Sequence, residues 1–225
     1  VYALVYRNDS LLLFGIDYRN KGRFILSDLF ISAGKLDKNL TMKIGSGQIT
    51  DLGGDEHPEI VFVHSSGYGL VPRKVFAVDP TSRKVRSSID LKAFLVSAIY
   101  ADLNTDGKKE IFINNYASSN YKVDSITTVK PCDHASYSLV LDRELKYLFK
   151  PGVKLGDYNG CFTHPLNTRE GPCILSVFYS SNELFRQATI QVLDLKGNQK
   201  KQQTFTDSTE SGLNVFVING HEGYD

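Results

Sequence analysis

Asp51-Leu52-Gly53-Gly54-Asp55-Glu56-His57-Pro58-Glu59-Ile60 aligns without a gap onto Asp102-Leu103-Asn104-Thr105-Asp106-Gly107-Lys108-Lys109-Glu110-Ile111, with Asp, Leu, Asp, Glu and Ile at the same spacing. A third copy, Pro165-Leu166-Asn167-Thr168-Arg169-Glu170-Gly171-Pro172-Cys173-Ile174, keeps Leu and Ile but has Pro165, Arg169 and Cys173 at the acidic positions. Each copy is followed by an apolar run, then Ser65-Ser66-Gly67, Ser118-Ser119-Asn120 or Ser180-Ser181-Asn182, then a second run closed by Asp79, Asp142 or Asp194. Asp17 closes an earlier run, Leu12 to Ile16, and the four aspartates are 62, 63 and 52 residues apart. Self-similarity at a fixed period of this size marks a repeat architecture.

The repeated units are read as strands. Apolar runs of four to eight residues, among them Ala3 to Tyr6, Leu11 to Ile16, Ile60 to Val63, Val75 to Val78, Glu110 to Ile113, Ser138 to Leu141, Ile174 to Tyr179, Thr189 to Leu193 and Val215 to Ile218, alternate with turn residues. No sustained 3.6-residue period competes with them. A period of 50 to 60 residues built from strands predicts an all-β β-propeller, with blades that are four-stranded antiparallel sheets and about four repeats in the chain. The expected organisation is one propeller domain over 1–225, with repeats at roughly 1–44, 45–95, 96–154 and 155–211 and a strand in 212–225 closing the first blade. A closed ring of four and four consecutive blades of a larger ring both fit this pattern.

Asp102 to Glu110 places oxygen donors at positions 1, 3, 5 and 9, with Gly107 at position 6 for a sharp turn. Calcium takes 6 to 8 oxygens in flexible geometry, which alternate side chains of a curled loop and one main-chain carbonyl can supply. Position 12 is Ile113 within an apolar run, so the loop is not an EF-hand. The segment resembles the FG-GAP and VCBS repeat families, the calcium-loop repeats of integrin-type β-propellers. The resemblance implies that Asp102, Asn104, Asp106 and Glu110 bind calcium through side chains and Lys108 through its carbonyl. Asp51, Asp55 and Glu59 form a weaker version, with Gly53 at position 3 and Glu56 at position 6. Acidic turns between strands arise without any metal, because Asp, Asn and Gly favour turn conformations.

The rest of the sequence narrows the function classes. Net charge is +1, which gives no electrostatic footprint for nucleic acid, and 41% hydrophobic with 23% charged residues is an ordinary globular composition. The longest nearly apolar run, Ala93 to Ala101, is too short to span a bilayer. The chain starts at Val1 without an initiator Met and reads as a processed or excised piece. Cys132, Cys161 and Cys173 lack zinc-site spacing; they allow at most one bridge, Cys161 to Cys173, or buried thiols. His57 lacks the second histidine of H-E-x-x-H, and neighbouring residues such as Cys132-Asp133-His134 rarely converge on one reacting atom.

The second repeat carries about a dozen inserted residues: Leu103 to Asp142 is 39 residues against 27 for Leu52 to Asp79 and 28 for Leu166 to Asp194. The insertion holds Tyr116, Tyr121, Lys122 and His134, and long loops on a rigid scaffold are where binding specificity resides. The expectation is a non-enzymatic, extracytoplasmic ligand-binding or adhesion module stabilised by calcium. It would be the sensor ectodomain of a membrane protein, with a protein or carbohydrate ligand. The alternative is a carbohydrate- or polymer-active hydrolase or lyase on the same scaffold, although no residue set nominates a catalytic centre.

Overall fold

The computed structural model describes residues 1–17, 19, 21–33, 43–67, 70–117, 133–156, 159–180 and 186–207. These form sixteen strands and no helix. The first sheet is the meander β1 (Tyr2–Arg7), β2 (Ser10–Asp17) and β3 (Arg23–Ala33). The second is a four-stranded meander, β4 (Lys43–Thr50), β5 (Glu59–Ser65), β6 (Arg73–Asp79) and β7 (Lys84–Ser87). Next come β8 (Phe94–Ala101), β9 (Glu110–Tyr116), β10 (Ala135–Tyr137), β11 (Leu139–Leu141) and β12 (Val153–Leu155). The described chain closes with β13 (Asn159–Thr168), β14 (Gly171–Ser180), β15 (Arg186–Leu193) and β16 (Gln199–Asp207). Every pairing is antiparallel.

Among the described residues, the four-stranded blade expected of each repeat is seen as a separate sheet only in β4 to β7. The first sheet has three strands, and β8, β9, β11 and β13 to β16 belong to one seven-stranded sheet, with β10 and β12 as a small pair beside it. The merger has a local cause. The strand β13 pairs with β9 only at Gly160↔Tyr116 and Cys161↔Asn115, and then runs with β14 for ten pairs. Two leaves, β8-β9-β11 and β13 to β16, are thus joined at one corner.

Period-two alternation then decides the packing, because successive side chains of a strand point to opposite faces. From β5 and β6, Ile60, Phe62, Phe76 and Val78 pack against Leu11, Leu13, Leu26 and Ile31 of the first sheet. Their neighbours Val61, Val63, Val75 and Ala77 pack against Leu95, Ile111, Ile113, Leu139 and Leu141 of the next leaf. On the far face of that leaf, Phe112 and Val140 meet Ile174 and Leu193. Four β layers therefore stack face to face in chain order, with an apolar core at each of three junctions. The strands β4 and β8 also lie side by side, where the Ala98 amide donates to Ser46 Oγ at 2.7 Å and the Tyr100 hydroxyl to the Ser46 carbonyl at 2.8 Å.

The recurring aspartate is a turn device. In all four layers its Oδ1 accepts the amide two residues on: Arg19 to Asp17 at 3.1 Å, Thr81 to Asp79 at 2.8 Å, Glu144 to Asp142 at 2.9 Å and Lys196 to Asp194 at 2.8 Å. Asp and Asn favour such turns because a short side chain can bond its own backbone. The run Val215 to Ile218 and all of 212–225 lie outside the described residues.

A disulfide between Cys161 and Cys173 does not form; both are free and buried. The register pairs Cys161 with Phe178 and Cys173 with Leu166, five pairs away, or about 17 Å along the hairpin.

Candidate functional site

The two acidic loops join β4 to β5 and β8 to β9, and their backbones match position by position. Residue 4 has positive φ in both, Gly54 at 69° and Thr105 at 59°, as does residue 6, Glu56 at 65° and Gly107 at 83°. Residue 1 binds amides three to five positions on. Asp51 accepts from Gly54 at 2.7 Å and Glu56 at 2.8 Å, while Asp102 accepts from Asp106 at 3.1 Å and Gly107 at 2.9 Å. Residue 5 accepts from residue 7, His57 to Asp55 at 3.1 Å and Lys108 to Asp106 at 2.8 Å. The leucine at residue 2 anchors each loop, Leu52 in the core before the third layer and Leu103 in the core after it.

The loops also touch. Lys109 donates its amide to the Leu52 carbonyl at 3.1 Å and its ammonium to Thr50 Oγ1 at 2.6 Å. A Cβ on Gly54 would stand 2.2 Å from the Gly107 carbonyl oxygen, so this contact admits only glycine at residue 54. In the third copy, Pro165 to Thr168 lie in β13 and Gly171 to Ile174 in β14, leaving a two-residue turn, Arg169-Glu170, in place of a loop.

Of the sequence-derived donors, Asp102, Asn104, Asp106 and Lys108 curl around one turn, with Asn104 Oδ1 accepting the Asp106 amide at 3.0 Å. Glu110 reaches back to accept the Leu103 amide at 3.0 Å. Burial pushes the Glu110 carboxyl above its ordinary range, and the charges of Asp106 and Asp102 push it the same way. The three carboxylates are thus close enough to repel, and among the described residues none of them is in an ion pair. They are not drawn into a cage: among the described residues no three His, Cys, Asp or Glu side chains are gathered so as to hold a metal ion. The oxygen chemistry suits a hard cation, but the carboxylates are turned towards the loop's own amides.

In the other loop Glu59 is neutralised. Arg86 grips it with Nε to Oε1 at 3.2 Å and Nη2 to Oε2 at 2.7 Å. Glu59, Arg86, Asp55, His57, Asp79, Lys84 and others line an open cleft of about 340 Å³. With Glu59 held by Arg86 and Asp79 holding its own turn, neither of these two carboxylates is poised for proton transfer.

The far end of the same strands, about 20 Å away along β9, carries the insertion. Tyr116 ends β9, and His134 precedes β10 with its carbonyl accepting the Gly156 amide at 2.9 Å. Tyr121 and Lys122 lie outside the described residues. Asn115 fixes the base: its Nδ2 donates to the Tyr137 carbonyl at 2.6 Å and its Oδ1 accepts the Tyr137 amide at 2.9 Å. Asn114 accepts the Thr163 amide at 2.9 Å and donates to Ser97 at 3.0 Å.

Beneath this base lies a fully buried ion pair, Arg73 Nη2 to Asp133 Oδ1 at 2.6 Å. The guanidinium also donates to the carbonyls of Leu70, Lys92 and Gly67 and lies over the Phe94 ring at 5.8 Å. Asp133 is therefore a structural partner of Arg73. Sequence reasoning singled out Asp133 only beside Cys132 and His134, and nothing local marks Arg73, 60 residues away, as its partner. Cys161 is not an activated thiol, since burial pushes it up to about 12. Burial lowers His64 to about 4, so it is a neutral ring whose Nε2 meets the Tyr6 hydroxyl at 3.1 Å.

Comparison with protein-family models, with curated proteins and with solved structures finds no match to this chain.

Proposed function

We propose that the chain is a non-enzymatic binding module of β-propeller type, in which calcium in Asp102 to Glu110 rigidifies one end and the insertion-bearing end contacts a ligand. The observation that carries this reading is that burial, with the charges of Asp106 and Asp102, raises the Glu110 carboxyl and that none of these three carboxylates is in an ion pair among the described residues, in a loop whose twin is neutralised by Arg86. Bound calcium would relieve that repulsion, with Asp102, Asn104, Asp106, Glu110 and the Lys108 carbonyl as its ligands. The stacked antiparallel layers and the neighbouring β4 and β8 support the propeller reading. A loop of modest affinity fills only where calcium is near millimolar, so the module belongs outside the cytoplasm, as a secreted or membrane-tethered ectodomain. Fixed by Arg73, Asp133, Asn114 and Asn115, the opposite end offers Tyr116 and His134 beside the insertion as the contact surface for a protein or carbohydrate.

Thermal melting with calcium against chelator tests the reading, for the parent and for Asp106→Ala. At a dissociation constant near 1 mM, 10 mM calcium stabilises the parent by about 1.4 kcal/mol. Asp106→Ala should abolish the response. Equal responses would move the ion elsewhere, and no response in the parent would leave Asp102 to Glu110 an acidic turn.

A further inference from the structure

We propose that His64 is an acid-operated latch: protonation of its ring releases the first sheet from the second. The first sheet depends on one junction. Among the described residues no backbone pairing joins β1, β2 and β3 to another sheet. Their inner face, with Leu11, Leu13, Leu26 and Ile31, packs on Ile60, Phe62, Phe76 and Val78 of the second sheet. Polar ties across the junction include Arg83 Nη2 to the Ser27 carbonyl at 3.3 Å and His64 Nε2 to the Tyr6 hydroxyl at 3.1 Å.

Period-two alternation on β5 puts His64 on the face of Ile60 and Phe62, and it is fully buried there. Its ring centroid lies 5.7 Å from that of Tyr6 and 6.3 Å from that of Phe76. Nδ1 is buried and has no hydrogen-bond partner among the described residues. An imidazolium donates from both nitrogens, so one N–H would be left without an acceptor. No counter-charge offsets this. β4 turns Ile44 to His64, and β6 turns Lys74, a cation that Asp90 holds at 3.8 Å. Among the described residues β2 and β3 turn apolar side chains to the junction, Leu11, Leu13, Leu26, Leu29 and Ile31. From β1 comes Tyr6, whose hydroxyl is raised chiefly by burial, opposed by a bond from Ser66 and aided by the charge of Asp9, and so stays neutral in acid.

Burial accordingly lowers His64 from 6.5 to about 4 in the closed form, while a released ring returns to its ordinary value of about 6.5. The released form binds the extra proton between these values, so closure loses stability as pH falls from 6.5 towards 4. Linkage then raises the open fraction about tenfold between pH 7.5 and 5.5, and about seventyfold by pH 4.5. Release bares Ile60, Phe62, Phe76 and Val78, so acid turns a buried apolar face into an exposed one. Neither calcium nor the insertion takes part.

Amide exchange, expressed as protection relative to unstructured amides at the same pH, tests the latch. A three-stranded meander cut off from its core has little to hold it folded. Protection of Leu12 and Phe14, bonded to β1, should therefore fall by these factors in the parent. It should stay below that of Phe112 in β9 at every pH, because the first sheet opens before the whole chain does. His64→Phe keeps a ring in the junction but takes no proton, and should change less than about twofold over the same range. His64→Gln repeats the comparison with a side chain that can still accept from Tyr6. An equal pH response in parent and variants, or equal protection in β2 and β9, overturns the proposal. Should both variants be unprotected at pH 7.5, the parent decides through its ring resonances. The His64 ring should stay neutral to below about pH 5 while β2 is protected. A ring that takes its proton near 6.5 with β2 still protected overturns the proposal.

Discussion

Asp51 to Glu59 and Asp102 to Glu110 share a backbone and differ in what becomes of the charge at residue 9. Glu59 is gripped by Arg86 from β7. At the matching place in the third layer, the residue whose amide bonds Val140 is Leu148, which has no charge to offer Glu110. The carboxyls respond accordingly. Desolvation works to raise Asp51, but the amides of Glu56 and Gly54 outweigh it and hold it below its ordinary range. For Glu110 burial wins, aided by two neighbouring aspartates. A repeat can thus keep its turn geometry while the residue-9 carboxylate of one copy is neutralised by an arginine and that of the other has no ion pair among the described residues.

The largest effect should come from the contact between the two loops. Positive φ at residues 4 and 6 is tolerated by Thr105 and Glu56, so backbone strain alone is not what requires Gly54. Gly54→Ala drives a methyl group into the Gly107 carbonyl and should cost about 3 kcal/mol. Gly107→Ala meets nothing within 4 Å and should cost about 1 kcal/mol from its φ of 83°. Chemical denaturation of both variants checks the order. Equal losses would mean that the loops are not packed against each other.

Next in size is Arg86→Met, which converts the first loop into an imitation of the second. The pair is partly buried, with 27% and 15% of the two side chains exposed, so stranding Glu59 should cost about 2 kcal/mol in chelator. Calcium should recover part of that loss, because Asp51, Asp55 and Glu59 would then stand uncompensated. A loss that calcium leaves untouched would show that carboxylates at residues 1, 5 and 9 do not suffice without an oxygen at residue 3, where Gly53 replaces Asn104.

The strands and turns were legible because their causes are local. Apolar runs such as Ile60 to Val63 and the Asp79, Asp142 and Asp194 turns need only period-two alternation and a short acceptor side chain. The acidic loops were legible as loops for the same reason. Their electrostatic difference was not, since Arg86 lies 27 residues from Glu59. Nor was Arg73 with Asp133, because only the stacking of layers brings residues 60 apart into one buried site. In the third copy the acidic residues that hold the longer loops are lost, and the strands extend to meet at Arg169-Glu170, where Thr168 Oγ1 accepts the Glu170 amide.

The smallest effect, and the one whose sign is most informative, is expected from Glu110→Gln. Glutamine keeps the bond to the Leu103 amide through its oxygen but removes the charge that Asp102 and Asp106 repel. The folded-state carboxyl of Glu110 lies above its ordinary 4.5, so the stability linked to its protonated form is present below that pH and is lost as pH rises through the folded value. In chelator the parent should therefore weaken relative to the variant between pH 4 and 7, by up to about 1 kcal/mol given residual solvent screening. At pH 7 with 10 mM calcium the sign should reverse, because the ion gains from the carboxylate that the empty loop must tolerate. Melting at both pH values, with and without calcium, gives four numbers from each protein. A variant that is less stable than the parent in chelator at pH 7 would mean that Glu110 is stabilised within the loop by its hydrogen bond and needs no ion.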